Sequence, residues 1–229
     1  MTAMLRGISS MATRQLLNEL AADWLLRGGG TASVESVGGV DAAKRVAAGE
    51  PFDFVVLASD AIDKLVAGGH AVEGSRVDLV VSGVAIAVRE GAPRPAIATE
   101  QALRETVLAA ASIGYSTGPS GTALLQLFER WGITAQVRDK LVQARPGIPV
   151  GSLVASGEVA LGFQQLSELV HLKGITVLGG MPEGATLDTI FSGAVCTASK
   201  QAEAARAVLA FMASDATREA KHRNGMQAA

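Results

Sequence analysis

The segment Ile113–Ile133, IGYSTGPSGTALLQLFERWGI, constrains the fold of this chain more than any other. Its apolar start reads as a buried strand and Tyr115–Gly121 is built of turn residues. Leu124, Leu127, Phe128 and Trp131 then recur at i, i+3, i+4 and i+7, one face of a helix that Gly132 ends. The first N–H groups of such a helix lack intrahelical partners, and the helix dipole favours negative charge beside them. No Asp, Glu, Lys or Arg lies between Thr106 and Phe128, so no side-chain carboxylate of the loop fills that place and an external anion could. An ordinary strand-to-helix loop with a serine cap fits the same residues.

The pattern recurs along the chain. Met4–Ile8 reads as a short strand, with Ser9 and Ser10 in the turn after it and a helix on which Leu16, Leu20 and Trp24 stack. Thr31–Val37 is the next strand, followed by Gly38 and Gly39 and a helix over Asp41–Ala48, where Asp41 would compete with a bound anion. Phe52–Ala58 is a continuous apolar run of buried parallel-strand type, and Asp60 starts a helix over Ala61–Ala67. Val77–Val88 reads as one long strand or two, with Gly83 permitting a bend, and a helix is expected over Thr99–Ala110. Beyond the central segment, Ile148–Ala155 reads as helical after the loop RPGIP. Val159–Phe163 is a strand followed by the polar pair Gln164 and Gln165, and Ile175–Leu178 and Thr189–Thr197 are further strands. Ser199 is expected to cap a last helix buried through Ala205, Val208, Leu209 and Met212, with a fraying tail from Arg218. No internal repeat is visible. The turns GISS, SVGG, STGPSGT and RPGIP share small or hydroxyl-bearing residues, and in open α/β sheets ligands sit beyond the carboxyl ends of strands. The ligand expected there is a small oxyanion or carboxylate.

Composition narrows the class. At 229 residues, with 48% apolar and 18% charged content, the chain can bury a large core as one large domain or two small ones. A net charge of -2 without a Lys/Arg run leaves no nucleic-acid or anionic-membrane footprint. No apolar run approaches the roughly 20 residues that span a bilayer. Cys196 is the only cysteine, so no disulfide framework or Cys-based metal site is expected, and a lone thiol in an apolar strand reads as core. His70, His171 and His222 lack ligand-like spacing, so no metal and no cofactor is expected. MTAMLRGISSMATRQLL lacks the apolar core and cleavage site of a secretory leader. The expectation is therefore cytoplasmic as written, or periplasmic if a leader has been removed.

The order of GISSMA, KRVAAGEPFDFVVLAS, GPSGTALLQLFERWGI and SGEVALGFQQLSEL resembles the periplasmic molybdate-binding proteins and their type II solute-binding relatives, including an aconitate-isomerase-like branch. The resemblance covers most of the chain. It implies an α/β, two-lobed type II periplasmic-binding-protein fold, each lobe a mainly parallel sheet flanked by helices, joined by two crossing segments. Residues 1–82 and 189–229 would form lobe 1 and residues 83–188 lobe 2. It also implies an anion in the interlobe cleft, held by hydroxyls and backbone amides. Ser9 and Ser10 match the first serine turn, Gly38 and Gly39 the second, and Ser120 and Gly121 the amide-donating helix start. Gly147 and Ile148 match the next amide donor, and Gln165, beside Gln164, stands where those receptors have a ligand-contacting tyrosine.

The departures favour a different guest from a compact oxyanion. Glycines replace a run of serines at Gly38 and Gly39, and each ligand oxygen left without a donor in a closed site costs roughly 1–3 kcal/mol. Glycines also make room, and the amides of Gln164 and Gln165 can donate to a carboxylate and accept from a hydroxyl. Three readings stay open: a receptor for a small carboxylate or oxyanion, an isomerase of an unsaturated di- or tricarboxylate such as aconitate, and an intracellular ligand sensor. The partner is a small anionic ligand, with an ABC permease only if the protein is exported. An isomerase needs a base, for which Glu35, Asp60 and Glu168 are the carboxylates considered; none is assigned from sequence. Tyr115, the only tyrosine, reads as half-buried packing.

Overall fold

A computed structural model describes residues 4–229. The first three residues of the leader reading, and of the segment 1–82, lie outside the described residues. In chain order the elements are β1 (Leu5–Ser10), α1 (Arg14–Leu26), β2 (Ala32–Val37), α2 (Gly39–Ala47), β3 (Phe54–Ala58), α3 (Ser59–Ala67), β4 (Val77–Arg89), α4 (Glu100–Ala109), β5 (Ile113–Tyr115) and α5 (Pro119–Arg130). They continue as α6 (Thr134–Val137), β6 (Leu141–Gln143), α7 (Val150–Ser156), β7 (Leu161–Gln165), α8 (Leu166–Leu169), β8 (Ile175–Gly180), β9 (Asp188–Val195), α9 (Ala202–Ala213), α10 (Arg218–Arg223) and β10 (Gln227–Ala228). The chain forms two units, one ending at Ser82 and resuming at Thr189, the other Gly83–Asp188.

In the first unit the strand order is β2-β1-β3-β9-β4, with β10 also paired to β4. β1 runs parallel to both β2 and β3, while β9 runs antiparallel to β3. The run FVVLA of β3 is buried throughout because both faces are covered. Phe54, Val56 and Ala58 join Leu16, Leu17 and Leu20 of α1 and Val208, Leu209 and Met212 of α9, whereas Val55 and Leu57 join Ala42 and Val46 of α2 and Ile62 and Leu65 of α3. A Cβ on Gly7 would stand 2.4 Å from the Phe54 ring, so this parallel pairing of β1 and β3 requires glycine.

The second unit repeats that topology. Its order is β6-β5-β7-β4, with β8 on the far side of β4. β5 is parallel to β6 and β7, and β4 is antiparallel to β7. Val84, Ile86 and Val88 of β4 meet Leu124, Leu127 and Phe128 of α5 and Phe163 of β7, while the alternate residues Ala85 and Ala87 meet Leu169 of α8. Phe128 and Phe163 pack edge to face at 6.4 Å. Gly132 takes φ +67 beyond α5, the left-handed conformation that ends a helix.

Several expectations need correction. Ser9 and Ser10 are the last residues of β1, aligned with Ser36 and Val37, because the parallel pairing with β2 extends the strand through them. Gly39 opens α2 and is not part of a loop. Gln164 and Gln165 are inside β7 and both buried. Ser199 does not cap α9, whose N-cap is Gln201; its hydroxyl donates to Asp53. The residues from Arg218 onward form α10 and β10, with Lys221 and Met226 buried and Arg223 and Asn224 bonded to Glu19. Sequence periodicity missed α6 and β6, which are too short to show a period.

Candidate functional site

The parallel order β2-β1-β3 directs the starts of α1, α2 and α3 to the carboxyl end of the first unit's sheet, where the serines and glycines collect. Ser9 is fully buried, and its hydroxyl is engaged with the Ser36 hydroxyl at 2.8 Å and the Ser10 carbonyl at 3.2 Å. Ser10 differs. Its hydroxyl is buried and has no hydrogen-bond partner. Gly39 lies against it: a Cβ there would stand 3.6 Å from the Ser10 Cβ. Gly38 precedes α2, and a Cβ on it would be 3.4 Å from the Asp41 carboxylate in the first helical turn. Ser59, which sequence reasoning did not single out, opens α3 at the end of β3. A shallow groove lined by Asn18, Ala21, Leu25 and Ala32 lies at the opposite end of these strands and gathers no titratable group.

The corresponding end of the second unit carries the remaining candidates. Ser120 is buried in the first turn of α5 and shares a 2.9 Å hydrogen bond with the Ser116 hydroxyl. Gly121 packs so closely that a Cβ would be 1.9 Å from the Ser116 carbonyl oxygen, and its N–H donates to the Gly118 carbonyl. Gly147 has φ +80 in the loop after β6. Ile148 is exposed and its N–H donates to the Arg145 carbonyl at 3.0 Å, so this amide is already engaged within the loop. Arg145, the cation of the RPGIP turn, is exposed two residues beyond β6.

Gln164 and Gln165 do not act as a pair. Successive strand residues face opposite ways, so Gln165 shares the face of Phe163 while Gln164 shares that of Gly162, against α7. The Gln164 carbonyl oxygen accepts from the Gly151 N–H at 3.2 Å, which turns its NH2 toward the carboxylate of Glu168, to which it donates. Burial pushes the Glu168 carboxyl up to about 7, against the lowering effect of the Gln164 hydrogen bond. Ser167, next to it in α8, has a buried hydroxyl without a partner.

The other carboxylates considered as bases differ in setting. Hydrogen bonds from Arg45 hold Glu35 below the usual carboxylate range, and Asp60 is exposed, 3.6 Å from Lys64. Burial, with Asp53 adding to it, pushes the Cys196 thiol up to about 12, which leaves it an unreactive core residue. Tyr115 is partly buried against the core of its unit. Among the described residues no group of three His, Cys, Asp or Glu side chains could hold a metal, and no helix is long and apolar enough to cross a membrane.

The family profile described as bacterial extracellular solute-binding protein matches residues 5–227. An aconitate isomerase from Pseudomonas sp. is 42% identical over 184 residues, which cover 80% of this chain and 70% of that protein. The periplasmic molybdate-binding protein of Azotobacter vinelandii superposes with a TM-score of 0.80 at 18% identity, covering 97% of this chain and 98% of that one. A sulfate-binding protein from Mycobacterium tuberculosis H37Rv gives 0.81 at 15% identity, covering 98% and 86%.

Proposed function

Because the chain belongs to the bacterial extracellular solute-binding proteins and has the type II periplasmic-binding-protein fold, we propose that it binds a small organic carboxylate through loops at the carboxyl ends of its parallel strands. The observation that carries this reading is the Ser10 hydroxyl, buried and unpartnered beside the first turn of α2. A buried polar atom without a partner costs roughly 1–3 kcal/mol, and a ligand oxygen is the partner that would recover it. Ser9, Gly38 and Gly39 shape that place in the first unit. Ser120, Gly147 and Gln165 serve the second, with the Ser116 hydroxyl beside Ser120, while Gly121, its own N–H engaged on the Gly118 carbonyl, lets the helix start close over the Ser116 carbonyl. Ile148 and Gln164 are reassigned, Ile148 to the loop's own turn and Gln164 to Glu168. Arg145 favours a carboxylate over an oxyanion cradled only by neutral donors, since guanidinium pairs with carboxylate in a fork geometry.

The test is thermal. Citrate, cis-aconitate, trans-aconitate and molybdate are added separately to the purified protein; a ligand at about a hundred times its Kd should raise the melting temperature by roughly 5–10 °C. Ser10→Ala should weaken binding of that ligand about 5- to 10-fold while leaving the ligand-free protein as stable or more so. If none of the four moves the melt at millimolar concentration, the binding reading fails. The family's extracellular description supports export and delivery to an ABC permease for a receptor, which cell fractionation checks.

A second reading is isomerisation of an unsaturated tricarboxylate. The 42% identical relative named aconitate isomerase favours it, and so does Glu168, a carboxyl held near neutrality at the end of β7. Turnover of trans-aconitate, followed by chromatography, separates this from binding alone.

A further inference from the structure

We propose that Glu168 is the residue that carries the proton in an allylic isomerisation of an unsaturated di- or tricarboxylate, with Gln164 as its positioning residue; the assignment rests on the isomerase reading above. The geometry is a relay of fixed orientation. The N–H of Gly151, in the first turn of α7, holds the Gln164 carbonyl, and the Gln164 NH2 thereby grips one oxygen of Glu168. That holds one carboxyl oxygen and leaves the second to take a proton from a substrate carbon. The carboxyl follows the last residue of β7 by three positions, at the strand end where Gln165 and the loop after β6 also lie. Beside it the buried Ser167 hydroxyl has no protein partner and is available to a substrate oxygen.

The surroundings carry little competing charge. β7, α7 and β8 contain no ionisable side chain, the part of β4 in this unit contributes Arg89 at its far end, and the loop after α8 contributes His171 and Lys173. The other carboxylates of this unit are exposed except Glu100, which is half-buried and accepts a hydrogen bond from the Trp131 indole N–H. A base buried among neutral groups keeps its proton to higher pH, and burial does hold Glu168 up to about 7.

The step balances without a cofactor. Glu168, as carboxylate, removes a proton from the methylene next to a substrate carboxylate. The C–H electron pair becomes the new C=C bond, the former C=C pair moves to its far carbon, and that carbon takes the proton back from Glu168. The carboxylate is regenerated and nothing is oxidised or reduced.

The experiment measures interconversion of trans- and cis-aconitate by the wild type, Glu168→Gln and Gln164→Leu, together with binding of tricarballylate, a saturated tricarboxylate that has no double bond to move. The expected result is a loss of about 10²- to 10⁴-fold in turnover for Glu168→Gln, with tricarballylate affinity within about threefold of wild type. In Gln164→Leu, the acidic limb of the kcat/KM profile should move to higher pH, because a hydrogen bond that favours the carboxylate is gone. Wild-type turnover with Glu168→Gln within tenfold of it overturns the assignment and leaves the isomerase reading standing. Tricarballylate binding without any wild-type turnover overturns both. Loss of tricarballylate binding in Glu168→Gln assigns the residue to binding and overturns the catalytic role.

Discussion

Glu168 shows how a residue acquires its chemistry from its neighbours. In the sequence it was one of three ordinary carboxylates, indistinguishable from Glu35 and Asp60. In the structure Glu35 is pinned by Arg45, Asp60 is solvated, and only Glu168 is desolvated and oriented by an amide. Its raised pKa has a consequence for stability. The unfolded chain releases this proton near the ordinary 4.5 of a glutamate and the folded chain near 7, so below about 4.5 there is no penalty, stability falls as pH rises between the two, and above about 7 the penalty is complete. Its size is on the order of 3 kcal/mol. Glu168→Gln should therefore be more stable than wild type at pH 8 and nearly equal to it at pH 4.5, as read by urea unfolding at the two pH values; a constant difference would refute the assignment of the shift to this residue.

At the scale of elements, α5 and its loop explain why the strand–loop–helix signal was so legible. The apolar spacing of Leu124, Leu127 and Phe128 is local information, and those side chains are indeed the buried face. The reason for Gly121 is not local. It lets the first turn of α5 close over the Ser116 carbonyl, where any Cβ would overlap the oxygen at 1.9 Å. Gly121→Ala must displace the loop or the helix start, and we expect a loss of roughly 2–3 kcal/mol by chemical denaturation, whereas alanine at the helical, exposed Thr122 should change stability by less than about 0.5 kcal/mol. β7 carries the converse lesson. The two glutamines looked like a single polar ending, but strand alternation sends them to opposite faces, and each side of the sheet uses one of them differently.

Across the whole molecule, two units repeat one connectivity, a central strand flanked by the next two strands in chain order and closed by an antiparallel neighbour, without visible sequence repetition. The first unit is completed by residues from the far end of the chain: β9 pairs with β3, β10 with β4, and α10 packs against α1. Lys221 is buried with its ammonium on the Ala213 carbonyl, and burial lowers its pKa. Deleting residues 218–229 exposes the surface that Ala220, Lys221 and Met226 cover, and should lower the melting temperature by roughly 6–12 °C, equivalent to about 3 kcal/mol; a drop under about 2 °C would mean that the tail is only loosely held. By itself the sequence determined the alternation of strands and helices, the buried stripes on α1, α5 and α9, and the family pattern, because periodicity and turn chemistry are written in neighbouring residues. The tertiary structure alone decided that Ser9 is satisfied while Ser10 is not, that the Ile148 amide is engaged within its own loop, that Ala220, Lys221 and Met226 of the charged tail are buried, and that burial raises the Glu168 carboxyl to about 7. Each of those depends on residues distant in the chain or on the water that folding removes, and neither is encoded in local order.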